Sequence, residues 1–342
     1  MGQKLFKLIA ALIFTSAIAL QTAAAEDMLD VPVGISPVMS SAAMFIAKER
    51  GYFKEQGINV VLNPFKASGA KMVPFLATGQ LYVGGGNVNA GMYNAIANDI
   101  PIKIVSDKGT VSPDHGYLAL VVRKDHVESG RYKSFKDLKG MRMAVTAKGV
   151  SQQIVTEMFL KKAGLSLDDI ELKYLGYSDI NIALANKSLD ASIQIEPLVA
   201  AAVEKDIAVR VAGDDEIYPN QQSAVIFYSP VFMKEHPDKA RGFMVAYVKG
   251  LRDYNDAFEK NQGKDAVIEI LTKHTRIKDA SIYNKVVPVG LNPDGMVNIL
   301  SLKKDAQWYT EKGFVKARPD VDNIVDLGYA RHAVKVLGPY EK

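Results

Sequence analysis

The chain has 342 residues, of which 48% are hydrophobic and 23% charged, so it can form a globular protein with a sizeable core. Its 42 basic and 38 acidic residues are nearly balanced, which argues against a nucleic-acid-binding protein with a concentrated basic face. The lack of cysteine excludes disulfides, thiol chemistry and lipidation of a cysteine.

The first 25 residues have the pattern of a secretory signal peptide. Lys4 and Lys7 precede an apolar run from Leu8 to Leu20, and three alanines ending at Ala25 follow. A run of about 13 residues spans roughly 20 Å as a helix, too short for a hydrocarbon core of about 30 Å. We therefore expect cleavage after about Ala25 and release of the mature chain into the periplasm.

The next part of the chain repeats one pattern: an apolar strand, a loop of small residues, and a helix. Strands are predicted at Val31–Ile35, Ile58–Leu62 and Tyr82–Gly84. Loops at strand carboxyl ends lie beside helix N-termini, and such loops form ligand clefts. The candidate ligand contacts in these loops are Met39, Ser40, Ser68, Gly86, Asn87 and Asn89.

The same residue types also cap helices, so capping is the alternative role for Ser40, Ser68 and Asn87. The run Gly84-Gly85-Gly86 follows a strand but lacks the G-x-G-x-x-G spacing of a dinucleotide site. We interpret these glycines as residues of a loop that lets a ligand approach backbone N–H groups.

The sequence has two β-type runs about a hundred residues apart, Tyr117–Val122 and Ala224–Tyr228. They predict that the segment between them forms a second lobe, and that the chain after the second run belongs to the first lobe again. Such paired strands can act as a hinge. His115 lies in the loop before the first run and is a candidate ligand contact, with a surface turn residue as the alternative.

The segment between these runs predicts a second α/β lobe, with strands at Met141–Val145, Glu171–Leu175 and Ala191–Ile195. A helix begins near Ser151, and its free N–H groups favour an anion by roughly 0.3–2 kcal/mol. The candidate contacts here are Lys148, Gly149, Val150, Ser151, Tyr177 in a loop, and Glu196 at a strand end.

Two of these candidates have a second interpretation. Lys148 is equally consistent with a solvated loop lysine. Glu196 precedes Pro197, where a carboxylate at a helix N-terminus needs no ligand to explain it. If Glu196 faces the ligand, it favours an amine or hydroxyl donor on that ligand.

After Pro230 the sequence predicts amphipathic helices at Asp238–Glu259, Lys264–Lys273 and Met296–Lys312, which should complete the first lobe. The predicted division is a signal peptide at 1–25, lobe 1 at 26–116, lobe 2 at 117–224, and the completion of lobe 1 at 225–342. The five histidines have no metal-ligand spacing, so neither a metal nor a cofactor is expected.

Several motifs together resemble the periplasmic solute-binding proteins of ABC importers, in the branch that serves aliphatic sulfonates, taurine, nitrate and the pyrimidine precursors of thiamine. They cover roughly residues 30 to 230 in the order of that family. The motifs are Ala47–Val60, Leu76–Gly79, Ile100–Val105, Ser134–Gly140, Ala163–Leu165, and Leu189–Ala191 before Glu196-Pro197.

The resemblance implies an α/β fold, the two-lobed type II periplasmic binding protein, in which each lobe is a mixed sheet flanked by helices and two hinge strands join the lobes. It also implies a monomeric, non-enzymatic protein that delivers a small organic solute to a permease and an ATPase at the inner membrane. The chain departs from the family at Tyr82, where the motif has aspartate, and it has no arginine in a predicted cleft loop. Sulfonate-like, nitrate-like and pyrimidine-like molecules therefore all remain candidate ligands.

Two other functions compete with transport. One is a pyrimidine-precursor synthase on the same fold, which by resemblance needs a cysteine-rich segment and iron and acts in the cytoplasm. The lack of cysteine and the export signal argue against it. The other is a ligand receptor for a membrane sensor, which no residue distinguishes from a transport protein.

Overall fold

The protein is described by a computed structural model over residues 28–65, 69–98 and 100–341. The predicted signal peptide and Ser68 lie outside these described residues. Within them, no helix combines the length and apolar character needed to cross a membrane. The strands are β1 Leu29–Ile35, β2 Ile58–Pro64, β3 Val83–Asn87, β4 Lys103–Thr110, β5 Leu118–Arg123, β6 Arg142–Val145, β7 Glu171–Tyr174, β8 Ala191–Ile195, β9 Ala208–Gly213 and β10 Gln222–Tyr228.

Thirteen α-helices connect and flank these strands in the described part of the chain. They are α1 Ala42–Glu49, α2 Val73–Ala77, α3 Ala90–Ala97, α4 Lys124–Glu128, α5 Ser151–Lys162, α6 Tyr177–Ala185, α7 Leu198–Glu204, α8 Pro230–Glu235, α9 Pro237–Glu259, α10 Lys264–His274, α11 Ile299–Glu311, α12 Val321–Ile324 and α13 Gly328–Leu337.

The strands form two five-stranded mixed sheets, each the centre of one lobe. The order is β2-β1-β3-β10-β4 in lobe 1 and β7-β6-β8-β5-β9 in lobe 2. In lobe 1 only β10 is antiparallel to its neighbours, and in lobe 2 only β5 is. The other four strands of each sheet therefore end at one common edge, where ligands bind in open α/β sheets. The predicted α/β class with two mixed sheets is confirmed.

Helix α9 shows how the sequence pattern produces the lobe 1 core. Its side chains at Phe243, Tyr247, Leu251 and Tyr254 recur at helical spacing and are all buried. This face packs on α1, where the missing side chain of Gly250 allows close approach to the backbone of Ala43. The predicted long amphipathic helix is therefore present in the structure.

The chain crosses between the sheets twice, through residues 111–117 and 214–221. These crossings pair with each other, because Val111 N–H donates to Gln221 O at 2.9 Å and Asn220 N–H donates to Val111 O at 2.5 Å. The two predicted β-type runs lie just beyond the crossings, one as β5 in lobe 2 and the other as β10 in lobe 1. The paired connections are thus the short segments before these strands.

Two local predictions were wrong. Gly85, Gly86 and Asn87 continue strand β3 and do not form a loop. A Cβ on Gly86 would lie 2.5 Å from the Cα of Gly69, so glycine is needed there for backbone packing. Tyr177 begins helix α6 and does not lie in a loop, because the helical turn starts directly after Gly176.

Candidate functional site

A group of buried polar side chains lies between the carboxyl edges of the two sheets. Each is at most 8% exposed, and burial of so many polar groups requires partners from the protein or from a ligand. These residues, here called the interlobe cluster, are Ser40, Asn87, Lys108, Tyr117, Thr146, Ser151, Tyr177, Asp214 and Ser223.

Asn87, the last residue of β3, connects the lobes within the cluster. Its Nδ2 lies 3.5 Å from Ser151 Oγ and 3.3 Å from Tyr177 OH. Burial raises the pKa of Tyr177 to about 12, so its hydroxyl stays protonated. Both contacts are at the long end of hydrogen bonding. A ligand acceptor placed between these groups would compete for the same donors.

The loop before α5 is fixed against lobe 1 through its backbone. Ala90 N–H donates to Gly149 O at 2.8 Å, and Ser151 N–H donates to Val88 O at 3.0 Å. Val150 forms an isolated bridge with Asn89. The sequence-predicted residues Gly149, Val150 and Ser151 are therefore brought to the end of β3, beside Asn87.

Lys108 is the principal charged group of the lobe 1 half. It lies near the carboxyl end of β4, is 2% exposed, and its Nζ donates to Ser40 Oγ at 2.8 Å. A Cβ on Gly85 would come within 3.0 Å of its Cε, so the glycine leaves space for the lysine. Burial lowers the pKa of Lys108 to about 7, although Asp107 partly opposes this.

Tyr117 and Ser223 close the side of the cluster near the crossings, where their hydroxyls hydrogen-bond each other. Ser223 Oγ is also close to Gly109 O at 3.1 Å, and Ser151 Oγ donates to Ser223 O at 2.9 Å. Hydroxyls can act as donors or acceptors. This side can therefore adjust its hydrogen bonds to a bound molecule.

The structure distinguishes capping from cluster contacts among the predicted residues. Asn89 is a helix cap, because its Oδ1 accepts from Met92 N–H at 2.9 Å. Asn87 and Ser40 cap no helix through their side chains. Glu196 accepts from Ala200 N–H at 3.0 Å and Val287 N–H at 3.2 Å. Burial raises its pKa to about 7.

The structure does not bring Lys148 and His115 into the cluster. Lys148 is exposed, and its Nζ lies 5.4 Å from the ring centroid of Phe314. The His115 ring contacts Glu259 Oε1 at 2.8 Å, on the outer end of the long helix Pro237–Glu259. Met39 is buried in the apolar core, and Gly86 packs on Gly69.

Sequence reasoning missed Lys108, Asp214, Thr146, Tyr117 and Ser223. Charged residues at strand ends are usually solvated, so Lys108 and the acidic run at Asp214 carried no signal of burial. Tyr117 is the first residue of the predicted run Tyr117–Val122, and Thr146 directly follows the predicted strand Met141–Val145. The position of Thr146 next to a carboxyl end was the one signal that could have indicated it.

A protein-family model described as NMT1/THI5 like matches residues 39–259, more than half of the chain. The chain belongs to this family. It is 26% identical over 291 residues to a protein of Brucella abortus (strain 2308) that carries the general name of a binding protein, covering 82% of this chain and 85% of that one.

Two further comparisons concern an enzyme and a solute-binding protein. A 4-amino-5-hydroxymethyl-2-methylpyrimidine phosphate synthase of Aspergillus parasiticus is 25% identical over 230 residues, covering 62% of each chain. The alkanesulfonate-binding protein SsuA from Xanthomonas axonopodis pv. citri, solved with bound MOPS, has a TM-score of 0.71 at 18% identity, covering 89% of this chain and 99% of that one. The latter likeness shows the fold alone and confirms the two-lobed architecture.

This NMT1/THI5-like chain has a second interlobe connection outside the cluster, here called the rim contact, formed by Glu157, Trp308 and Lys312. Glu157 of α5 accepts from Trp308 Nε1 at 2.8 Å, and its other oxygen lies 2.8 Å from Lys312 Nζ. Burial opposes ionisation, but the hydrogen bonds from Lys312, Lys161 and Trp308 outweigh it and lower the pKa of Glu157. The rim contact stabilises the arrangement in which the lobes touch.

Two asparagines of the NMT1/THI5-like chain should respond differently to alanine. Asn87→Ala is expected to weaken solute binding with little change in the melting temperature of the unliganded protein, because its contacts are long. Asn89→Ala removes the cap of α3 and should cost about 1 kcal/mol of folding stability. Calorimetric titration and urea unfolding of both variants measure the two effects. Equal losses of stability would assign Asn87 a structural role.

Proposed function

We propose that this NMT1/THI5-like chain is the periplasmic substrate-binding component of an ABC importer. It captures one small organic solute between the lobes and presents it to a permease and its ATPase at the inner membrane, acting as a monomer. The observation that supports this most directly is the interlobe cluster, in which both lobes contribute buried polar groups to one space. A solute that contacts both lobes stabilises the closed form over the open one.

The cluster suits a solute with an acidic or hydrogen-bonding head. Lys108 and Ser40 offer a cation and a hydroxyl on the lobe 1 side. Asn87, Ser151 and Tyr177 offer groups that donate to oxyanions and ring nitrogens. We therefore include sulfonate-like, nitrate-like and pyrimidine-like molecules as candidate solutes, with contacts to lobe 1 (26–116 and 225–342) and lobe 2 (117–224).

The test is a thermal-shift screen of the mature chain with these three classes, followed by X-ray scattering with each hit. A solute at a hundredfold excess over its Kd adds about 2.7 kcal/mol of stability. The expected result is a raised melting temperature together with a smaller radius of gyration. If no compound raises the melting temperature and none changes the scattering, the proposed function is wrong.

Trp308 gives an internal signal of lobe closure, because it is the single tryptophan of the chain. Its indole N–H donates to Glu157 of lobe 2, and its ring lies in one apolar cluster with Ile154 and Met158 of the same helix. Solute binding should shift its fluorescence to shorter wavelength, as the ring leaves water and meets Glu157. Titration with each thermal-shift hit measures this. Tight binding by calorimetry with unchanged emission would contradict closure at the rim.

The alternative of a pyrimidine phosphate synthase is supported by the 25% identity to the Aspergillus parasiticus enzyme. That function predicts chemical conversion of a bound molecule, whereas transport predicts its unchanged release. Incubation of each hit with the protein, followed by mass spectrometry of the released compound, separates the two. Recovery of a modified compound would favour the enzyme.

A further inference from the structure

We propose that Glu196 holds the closed lobes together as a protonated carboxyl group, so that solute capture takes up a proton there and becomes tighter as the pH falls. Glu196 is a positioning residue in this inference, because it acts through the two lobes and not through the solute. The inference rests on the proposed function and deepens it, since it adds regulation by pH to the interlobe site.

Glu196 belongs to a further interlobe contact, here called the latch, which shares no residue with the rim contact. The residue directly follows β8, and its Oε1 accepts from Val287 N–H at 3.2 Å. Its backbone oxygen accepts from Met39 N–H at 3.2 Å, and its Oε2 accepts from Ala200 N–H of α7 at 3.0 Å. The latch is formed by Glu196, Ala200, Ala201 and Glu204 on the lobe 2 side, and by Met39, Ile282, Lys285 and Val287 on the lobe 1 side.

The segment that carries Val287 is attached to lobe 1. Within it, Val289 N–H donates to Tyr254 OH of the lobe 1 helix α9 at 2.8 Å. The next residue, Gly290, forms a bridge with Thr110 of β4. Helix α7, in contrast, packs on β8, β5 and β9 of the lobe 2 sheet. The latch therefore joins two separate bodies, and its contacts form when the lobes come together.

Apolar and ionic contacts complete the latch. Ala200 and Ala201 of α7 form one buried apolar cluster with Ile282 of lobe 1. At the exposed edge, Lys285 Nζ lies 2.5 Å from Glu204 Oε2. Closure of the latch thus removes apolar surface from water together with the carboxyl group between these contacts, and the apolar part favours the closed form.

The Glu196 carboxyl group is buried and is held by backbone N–H groups. The residue is 1% exposed, and each carboxyl oxygen accepts from one N–H group. Arg210 acts on it through its charge, but the guanidinium itself donates to Gly116 O at 2.9 Å. Tyr254 also faces the Glu196 charge and stays a neutral phenol, because burial raises its pKa. In such surroundings a neutral carboxyl group is less costly to bury than a carboxylate.

The protonation of Glu196 therefore differs between the closed and the open form. Burial raises its pKa from 4.5 to about 7, although the N–H groups of Ala200 and Val287 and the charge of Arg210 oppose this. When the lobes separate, the carboxyl group meets water and its pKa returns toward 4.5. Between these pH values the closed form binds more protons than the open one, so closure is favoured as the pH falls through 7. The ratio of closed to open protein should be roughly 20-fold higher at pH 5.5 than at pH 7.5.

Calorimetric titration at pH 6, in two buffers with different ionisation enthalpies, counts the protons taken up per solute. The solute is whichever of nitrate, 2-aminoethanesulfonate and 4-amino-5-hydroxymethyl-2-methylpyrimidine binds wild type most tightly. Wild type should take up about 0.9 proton and Glu196→Gln less than about 0.2. Lys108, with a pKa of about 7, is already mostly protonated at this pH and adds little.

Two other acidic residues provide matched controls. Glu204→Gln changes an exposed carboxylate of the same latch. Asp305→Asn changes a buried carboxyl group whose pKa burial also raises to about 7, but which Tyr218 and Gln221 hold outside the latch. Both variants should keep the proton uptake of wild type. Uptake that persists in Glu196→Gln, or that is lost in Asp305→Asn, would overturn the inference.

The pH dependence of wild type itself gives a measurement that needs no variant. The Kd should be roughly 20-fold lower at pH 5.5 than at pH 7.5, and Glu196→Gln at pH 7.5 should bind as tightly as wild type at pH 5.5. X-ray scattering of the empty protein should give a smaller radius of gyration at pH 5.5 than at pH 7.5.

These results separate the latch from the proposed function. A solute that closes the lobes without proton uptake, and with a Kd independent of pH, leaves the proposed function in place and overturns the latch. If none of the three solutes binds, the scattering of the empty protein decides alone. Contraction at low pH in wild type, with none in Glu196→Gln, would then support the latch, and an unchanged radius in wild type would overturn it.

Discussion

Replacing Lys108 with methionine is expected to weaken the binding of an acidic solute by at least 30-fold, while the empty protein keeps or gains stability. The side chain is buried, and its Nζ donates to Ser40 Oγ. A solute anion that loses this cation loses a desolvated charge contact worth about 2 kcal/mol or more. Calorimetric titration with 2-aminoethanesulfonate, or with the best acidic hit of the screen, measures the change.

Lys148→Met is the matched control for this experiment. The sequence made Lys148 a candidate anion contact, with a solvated loop lysine as the alternative, and the structure leaves it exposed over Phe314. Its substitution should change affinity by less than 3-fold. A larger loss in Lys148→Met than in Lys108→Met would reverse the assignment and restore the sequence-based prediction.

The pH dependence of stability gives Lys108 a separate signature. Its pKa falls from 10.5 to about 7 in the folded protein because of burial. Between pH 7 and pH 10.5 the Lys108 side chain binds more protons in the unfolded chain than in the folded one. The free energy of unfolding therefore rises with pH over this range. Below about pH 7 Lys108 is charged in the folded protein, and the burial of this charge lowers the folding stability by its full amount. Lys108→Met should therefore stabilise the empty protein most at or below pH 7, as urea unfolding at several pH values would show.

The second large effect is expected from Glu157→Gln at the rim contact. The substitution removes the charge that Lys312 pairs with and weakens the bond from Trp308. Hydrogen bonds to charged groups contribute about 1.5–3 kcal/mol. Because the solute binds the closed form, this loss should appear as about a 10- to 100-fold weaker Kd, although Glu157 touches no solute.

Lys161→Ala separates closure from folding in this experiment. Lys161 pairs with Glu157 at 3.0 Å on the same helix, so its removal leaves the interlobe contacts in place. It should change solute affinity by less than 3-fold. The pKa of Glu157 is lowered, so its contribution to the closed form is present above pH 4.5 and is lost as the pH falls through the lowered value. Equal affinities of Glu157→Gln and wild type at pH 7 would mean that the rim does not support closure.

The sequence determined much of the local structure and the fold class. The predicted strand at Ala191–Ile195 has the same bounds in the structure, and the helix predicted at Asp238–Glu259 begins one residue earlier. Both elements are set by the periodicity of their own side chains, which needs no distant partner. Ser40 and Ser151 follow strands in the structure as the sequence indicated, whereas Asn87, predicted in a loop, is the last residue of its strand.

The tertiary structure decided which of those polar residues face each other and which charges are buried. Lys108 meets Ser40 from a strand 68 residues later, and Asp214 reaches the same cleft only because β9 joins the sheet of β5. In the sequence both look like ordinary solvated charges. Burial depends on the position of whole sheets relative to one another, and periodicity within a segment contains no information about that.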